Sequence, residues 1–323
     1  MKRRAALGLI GAAMAAPALA RGQAGIDGIR EVAGGLDQLH SLIVLRDGEE
    51  IVAEAFRGPG LDRVANVKSV SKTLLSLLVG IGTDRGILSV YDEVLPLLGR
   101  SATNDARDDL TVGDLLSLRG ALASTSGPNY GAWVSSADWV RFALDQPIEA
   151  APGGRFIYST GTTHLLGVAL ARAAGDDLLD LAREWIGAPM GITFPPWVAD
   201  PQGNYLGGND MALTPRALSR IGEMCRTGGR WEGRQVVSAD WLAEAWTPRA
   251  RSPWSGDRYG YGWFLTSLAG QRAAYARGYG GQVLAVLPEA GTVIAITSDP
   301  NRPARSAGYF GDLKALMDRI AAL

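Results

Sequence analysis

The chain is strand-like at both ends and helical in between, and that order restricts its fold more than any single motif. "HSLIVLRDGEEIVAEAF" (40–56) is apolar and β-branched on either side of Asp47-Gly48, a dipeptide that favours a tight hairpin turn. Towards the other end, "YGYGWFLTS" (259–267), "RAAYARG" (272–278), "GQVLAVLP" (281–288) and "TVIAITSD" (292–299) are short β-like runs, and "PEAG" (288–291) turns the last two into a hairpin. From 90 to 247 the pattern is helical. Thr111-x-x-Asp114 before "LLSL", Ser136-x-Asp138 before "WVRFAL" and Ser238 before "ADWLAEAW" mark helix starts. An amphipathic helix, "DLKALMDRIAAL", closes the chain. The expectation is an α/β (α+β) sandwich: one antiparallel sheet made from both termini, covered by the first and last helices, with a helical insertion as a second lobe. The sheet lobe is expected over 21–90 and 248–323, and the helical lobe over 91–247. A small-molecule cleft belongs between them.

The first twenty residues, "MKRRAALGLIGAAMAAPALA", stand apart from this pattern. Lys2, Arg3 and Arg4 form a positive start, Ala5 to Ala16 a short apolar run, and Ala18-Leu19-Ala20 a small-x-small cleavage signal. This predicts a signal peptide cut after Ala20, a mature domain over 21–323, and a periplasmic or secreted location. The Arg3-Arg4 pair permits a twin-arginine export route. No other stretch has the ~18 uninterrupted apolar residues of a membrane span.

Composition narrows the chemistry. The formal net charge is -1 and 47% of residues are hydrophobic, so the chain buries a real core and carries no basic surface for nucleic acid. Two histidines (His40 and His164) and one cysteine (Cys225) exclude a metal site built from several His and Cys ligands. Cys225, near a helix end, reads as a buried inert thiol. "GIGTDRG" (80–86) ends a helix instead of following a strand, so it is not a nucleotide loop.

"KSVSKTLLSLLVGIGTDRG" (68–86) is the segment with chemistry. Val70, Leu74, Leu77, Leu78 and Ile81 fall at helical spacing. Ser69 and Lys72 are three apart and share a helix face, whereas Ser71 points about 100° away from Lys72. A serine hydroxyl attacks only when a base takes its proton. Lysine can be that base when burial or nearby charge lowers its pKa; arginine cannot. The sequence has 32 basic residues of which only four (Lys2, Lys68, Lys72 and Lys314) are lysine; the spacing alone is weak against a solvated helix start, and it gains weight because it follows a hairpin and opens an apolar helix. A helix start under Ser69 also offers free backbone N–H groups to a developing oxyanion.

Two further elements accompany it. Tyr158-Ser159-Thr160 lies between the turn "PGGR" and an apolar helix. Tyr158 is a candidate proton-transfer group and Thr160 a candidate substrate contact, although a core tyrosine is the commoner fate of such a residue. "YARGYGGQVLAVLP" (275–288) is a glycine-rich strand edge. Arg277, Gly278 and Tyr279 are candidates for substrate binding there, one strand N–H completing an oxyanion hole with that of Ser69. Tyr130 and Trp133 are expected to pack the helical lobe, with the cleft mouth as the alternative place for them, and His164 is expected to be structural.

In this order the three elements resemble the signature of the serine β-lactamase/penicillin-binding-protein superfamily: S-x-x-K, then Y-x-N, then K-T-G or H-x-G. "DGEEIVAEAFRG", "PGGRFIYST", "LGGNDMALTPRALSRIG", "GGRWEGRQVVSADW" and "YGYGWF" are similar to segments of its class C-like branch of esterases, D-amino-acid peptidases and 6-aminohexanoate-dimer hydrolases. The resemblance covers essentially the mature chain. It implies Ser69 as the acylated nucleophile, Lys72 as base or proton relay, Tyr158 as the second proton-transfer residue, and neither metal nor cofactor. Two positions depart from the signature. Thr160 stands where the second motif has Asn, and Ala276 where the third has its cation or imidazole. Arg277 points to the opposite strand face from Ala276, which weakens carboxylate recognition.

The leading expectation is an exported serine hydrolase acting on a small-molecule ester or amide, with esters and short amides favoured over β-lactams and acyl-D-Ala peptides. A β-lactamase or DD-peptidase proper is the nearer alternative. A catalytically silent binding module on the same fold is the more distant one.

Overall fold

The structure is a computed structural model that describes residues 23–323; the expected leader lies outside the described residues. A helix over 23–34, which the sequence pattern did not reveal, precedes the first strand. Strands β1 (Leu39–Arg46) and β2 (Glu49–Ala55) make the expected hairpin. Its turn residues Asp47 and Gly48 are both left-handed, at φ 49° and 88°, as a primed turn requires. Two short ladders follow: β3 (Ala65–Asn66) pairs with β4 (Ala212–Leu213), and β5 (Arg230–Trp231) with β6 (Arg234–Gln235). The C-terminal strands are β7 (Ala250–Arg251), β8 (Arg258–Tyr259), β9 (Phe264–Leu268), β10 (Gln271–Gly278), β11 (Gln282–Leu287) and β12 (Thr292–Ser298).

The eight-stranded sheet runs β2-β1-β12-β11-β10-β9-β8-β7 and is antiparallel throughout. The two chain ends meet at β1 and β12, with Val44 opposite Ile294. Side chains alternate between faces. Ile43, Leu284, Val286 and Val293 enter the core shared with the helix Ser71–Asp84. Leu42, Val44, Ala285 and Ile294 enter the core shared with the helix Tyr309–Ala321 and the helix over 23–34. The last helix contributes Phe310, Leu313, Leu316, Met317 and Ile320, all nearly inaccessible. Each such burial is worth about 1.5–3 kcal/mol, an upper figure for a real unfolded chain.

Several expected features are refined. The strand expected over 259–267 breaks at 260–263, where Tyr261 and Gly262 leave the ladder and donate to Ala245 and Leu116 carbonyls. The helix expected from Lys68 begins as a 3-10 turn over Lys68–Val70 and becomes α-helical at Ser71. Thr111 and Ser238 cap their helices as expected, while Asp138 and not Ser136 caps the helix Trp139–Leu144. The helix Pro215–Arg226 falls within 91–247 by sequence yet packs across β1, β11 and β12. Its apolar stripe (Leu218, Ile221, Met224 and Cys225) faces the sheet core. No helix among the described residues is long and apolar enough to cross a membrane.

Candidate active site

Ser69 sits on the 3-10 turn at the head of a buried helix, half-buried, and lines a cleft. Lys72 lies one turn on and is only 4% exposed. Its Nζ is 3.2 Å from Ser69 Oγ, 3.3 Å from Thr160 Oγ1 and 2.7 Å from the Gly208 carbonyl. A neutral amine has two N–H donors and one lone pair. Donation to Gly208 and Thr160 uses the donors and leaves the lone pair for the Ser69 proton. Burial pushes the Lys72 pKa down to about 7, against the opposing pull of the Asp210 carboxylate. The neighbouring Ser71 is fully buried, donates to the Lys68 carbonyl and accepts from Met211 N–H. It holds the turn together and is not presented to the cleft.

Tyr158, Ser159 and Thr160 are clamped residue by residue to a second loop. Ser124 Oγ donates to the Tyr158 carbonyl at 2.6 Å, Thr125 Oγ1 bonds Ser159 Oγ at 3.1 Å, and Ser126 Oγ bonds Thr160 Oγ1 at 2.9 Å. Ser126 also accepts from Thr160 N–H at 2.8 Å. The clamp holds Tyr158 beside Lys72, whose Nζ is 4.9 Å from the centre of its ring. Burial raises the Tyr158 pKa, and the Ser69 hydroxyl and the Arg277 charge offset this only in part. The phenol therefore keeps its proton where Lys72 has given one up.

The third element closes the site from the sheet. A side chain at Gly278 would place its Cβ 2.4 Å from the Val67 carbonyl oxygen, so only glycine lets β10 approach the Lys68–Val70 turn this closely. Ala276 is buried beneath the sheet on the Leu74 side. Arg277 does face the other side, as expected, but its guanidinium is not turned away from the site. It stacks 3.5 Å over Phe310, donates to Ser306 Oγ and the Ala304 carbonyl at 3.1 Å, and lines the cleft. So the strand alternation separates Arg277 from Ala276 without taking its charge away from the cleft. The cleft measures about 900 Å³. Tyr158, Trp254, Phe264, Arg277, Asn301 and Arg305 line it, and Tyr279 stands half-exposed at its edge.

The sequence motifs missed several neighbours. Asp210 Oδ1 accepts from Lys68 Nζ at 3.1 Å and from Asn66 Nδ2 at 2.7 Å. Asn209 Nδ2 bonds both Asp210 and the Tyr130 hydroxyl at 3.2 Å. Asn209-Asp210 follows a Gly-Gly pair, the local sequence signal for a turn here, and Asp210 is left-handed at φ 64°, a conformation Asn and Asp tolerate. Tyr130 lines the cleft, the alternative place for it, whereas Trp133 packs in the lobe as expected, fully buried against Trp139 and His164. His164 is also fully buried, with Nε2 3.1 Å from Asp200 Oδ2. Cys225 is buried, and burial pushes its thiol pKa up.

The chain is similar in fold to several solved structures. A Bacillus anthracis protein described as a 6-aminohexanoate-dimer hydrolase superposes with a TM-score of 0.76 at 17% identity, over 88% of this chain and 79% of that one. EstCE1, a hydrolase with promiscuous acyltransferase activity, gives 0.74 at 17% identity over 93% and 97%. A penicillin-binding protein homolog from Caulobacter crescentus gives 0.73 at 18% identity over 92% and 96%. A search of curated proteins returns no significant match. The Beta-lactamase family model matches residues 28–316, a span that includes Ser69, Lys72, Tyr158 and Arg277. The chain belongs to the Beta-lactamase family.

Proposed function

We propose that this Beta-lactamase-family protein is a serine hydrolase that cleaves ester or amide bonds through an acyl-enzyme on Ser69. One observation carries the reading: Lys72 Nζ is 3.2 Å from Ser69 Oγ and so buried that its pKa falls to about 7. A base with a pKa near the working pH is at its most useful. Neutral Lys72 takes the Ser69 proton as Oγ attacks the carbonyl carbon. Tyr158, protonated, donates to the leaving alkoxide or amine, and Lys72 reprotonates it. The opposite directions of the two pKa values assign the roles. The backbone N–H groups of Ser69 and Tyr279 hold the oxyanion. Water then takes the place of the leaving group and releases the acid.

Within this reading, esters and short amides are favoured over β-lactams. Ala276 contributes no cation and is only 1% exposed. Thr160 Oγ1 is shared between Lys72 and Ser126, so it is not free to grip a substrate amide as an Asn would. The basic start and Ala18-Leu19-Ala20 support export, to the periplasm or outside the cell.

The test is intact mass after incubation with a fluorophosphonate and, separately, with penicillin, for the wild type and Ser69→Ala. The expected result is a fluorophosphonate adduct on the wild type alone. Penicillin labelling would restore the β-lactamase reading. No adduct on folded wild type from either reagent overturns the hydrolase reading and leaves a binding module.

A further inference from the structure

Two of the four lysines in the chain, Lys68 and Lys72, flank Ser69. Lys72 serves the chemistry just described, but Lys68 has no part in it. Its position is nonetheless built with some care. Residues 68 and 210 lie just beyond the paired strands β3 and β4, where Val67 N–H donates to the Met211 carbonyl at 2.9 Å. Both residues are left-handed, at φ 50° for Lys68 and 64° for Asp210. Non-glycine residues hold that conformation only where their surroundings over-determine it, and such outliers gather at functional sites. Here the two turns bring the Lys68 ammonium to 3.1 Å from Asp210 Oδ1. The pair is mostly buried, at 21% and 17% side-chain exposure, so solvent screens it weakly. Asn66 and Asn209 donate to the same carboxylate at 2.7 and 3.2 Å.

We propose that Lys68 is a positioning residue: it pins the Asp210 carboxylate to its own ammonium, so that Asp210 does not become the counter-ion of Lys72 and Lys72 stays free to take the Ser69 proton. The inference rests on the acyl-enzyme reading of Ser69 and Lys72, and it adds the means by which the base is kept neutral. The charged and titratable groups around Lys72 are few. Lys68 comes from its own turn, Asp210 from the segment before β4, and Tyr158 from the clamped loop. Arg277 stands beyond Tyr158, and Tyr130 beyond Asn209. Asp210 is the carboxylate whose charge opposes the effect of burial on Lys72. Remove the Lys68 charge and that carboxylate, left in a poorly solvated place, holds a proton on Lys72. Remove the Asp210 charge and two ammonium groups flank Ser69, which drives the proton off Lys72.

The two single changes must therefore act in opposite directions, a pattern that loss of packing does not produce. With four lysines in the full chain, selective carbon-13 labelling at lysine Cε gives a spectrum simple enough to follow Lys72 directly, its resonance assigned from Lys72→Met. The titration is run on the wild type, Lys68→Met, Asp210→Asn, the double variant and Lys68→Arg. The acid limb of kcat/KM for p-nitrophenyl acetate, an uncharged ester, is measured beside it. Lys68→Met is expected to move both the Lys72 titration and the acid limb up by about one pH unit. Asp210→Asn moves both down by a similar amount, and the double variant and Lys68→Arg return close to wild type.

Singles that move the titration the same way, or not at all, overturn the proposal. So does a raised KM in Lys68→Met with an unmoved acid limb, because that marks Lys68 as a direct substrate contact. If Lys68→Met does not fold, Asp210→Asn and Lys68→Arg still decide the sign. If the Lys72 titration behaves as stated and no ester is hydrolysed, the pairing stands and the hydrolase reading fails. Hydrolysis with unmoved titrations has the reverse meaning.

Discussion

The Lys72 amine donates to the Gly208 carbonyl at 2.7 Å, and the contact exists because residue 208 has no side chain. A Cβ there would stand 1.9 Å from Thr163 Oγ1 and 3.3 Å from Lys72 Nζ. Gly208→Ala must push the backbone off the helix Thr160–Ala174 and take the carbonyl with it. The expected cost is about 1–3 kcal/mol of stability and a loss on the order of 10²-fold in kcat/KM, since the base loses its fixed orientation. Urea unfolding and steady-state kinetics on the same preparation check both.

Lys72 is held against its own preference, so its removal should strengthen the fold. Its pKa falls from 10.5 to about 7 on folding. Between those values the unfolded chain binds a proton that the folded chain does not, so stability rises with pH across the window. Below pH 7 the burial penalty is fully present, amounting to a few kcal/mol. Lys72→Met is expected to unfold at higher urea than wild type at pH 7, with the gap closing towards pH 10, while hydrolysis drops by about 10³-fold or more. A variant no more stable than wild type at pH 7 would count against a neutral buried amine.

In the proposed mechanism Tyr158 and Lys72 divide the proton work, and two assays separate their roles. Tyr158→Phe is expected to lower kcat/KM by roughly 10²–10⁴-fold, the usual contribution of a positioned acid. Fluorophosphonate should still label Ser69, because the base that activates it is untouched. Loss of labelling together with turnover would move the base role to Tyr158.

Arg277 places a partly buried cation on the cleft wall, and among the described residues it pairs with no carboxylate. Burial lowers its pKa without removing its charge at neutral pH. For a pair of esters that differ only in a terminal carboxylate, the wild type should prefer the anion. Arg277→Met should reduce that preference by about tenfold or more, which corresponds to ~1.4 kcal/mol. Equal ratios in the two proteins would show that the guanidinium serves only to hold the loop over 304–306.

What could be read from the sequence was local. Asp47-Gly48 announces its hairpin because both residues accept a left-handed turn. Ser69 and Lys72 announce a shared face because three residues make most of a helical turn. Tyr158 stands out because a turn and a helix start frame it. The strand pattern at both termini was enough for the antiparallel sheet, since each hairpin leaves an apolar face that only another strand layer or a helix can cover. The helix over 23–34 and the sheet-bound helix Pro215–Arg226 were not resolved in this way. Amphipathic spacing shows that a helix has an apolar face, but not which surface that face will meet.

The site needed the tertiary structure because its members are far apart in the chain. Thr160 is 88 residues from Lys72, Gly208 is 136, and Asp210 lies 142 from Lys68. No local propensity couples such positions. Arg277 shows the same division within a single strand. Alternation correctly assigned it and Ala276 to opposite faces, but only the packing of the 304–306 loop against the end of β10 turned its face into a wall of the cleft. By itself the sequence put Ser69 and Lys72 on one face of a helical turn and both chain ends into one antiparallel sheet. The depth of burial around Lys72, which lowers its pKa to about 7, was decided by segments that meet only when the chain has folded, because desolvation depends on everything that surrounds a charge.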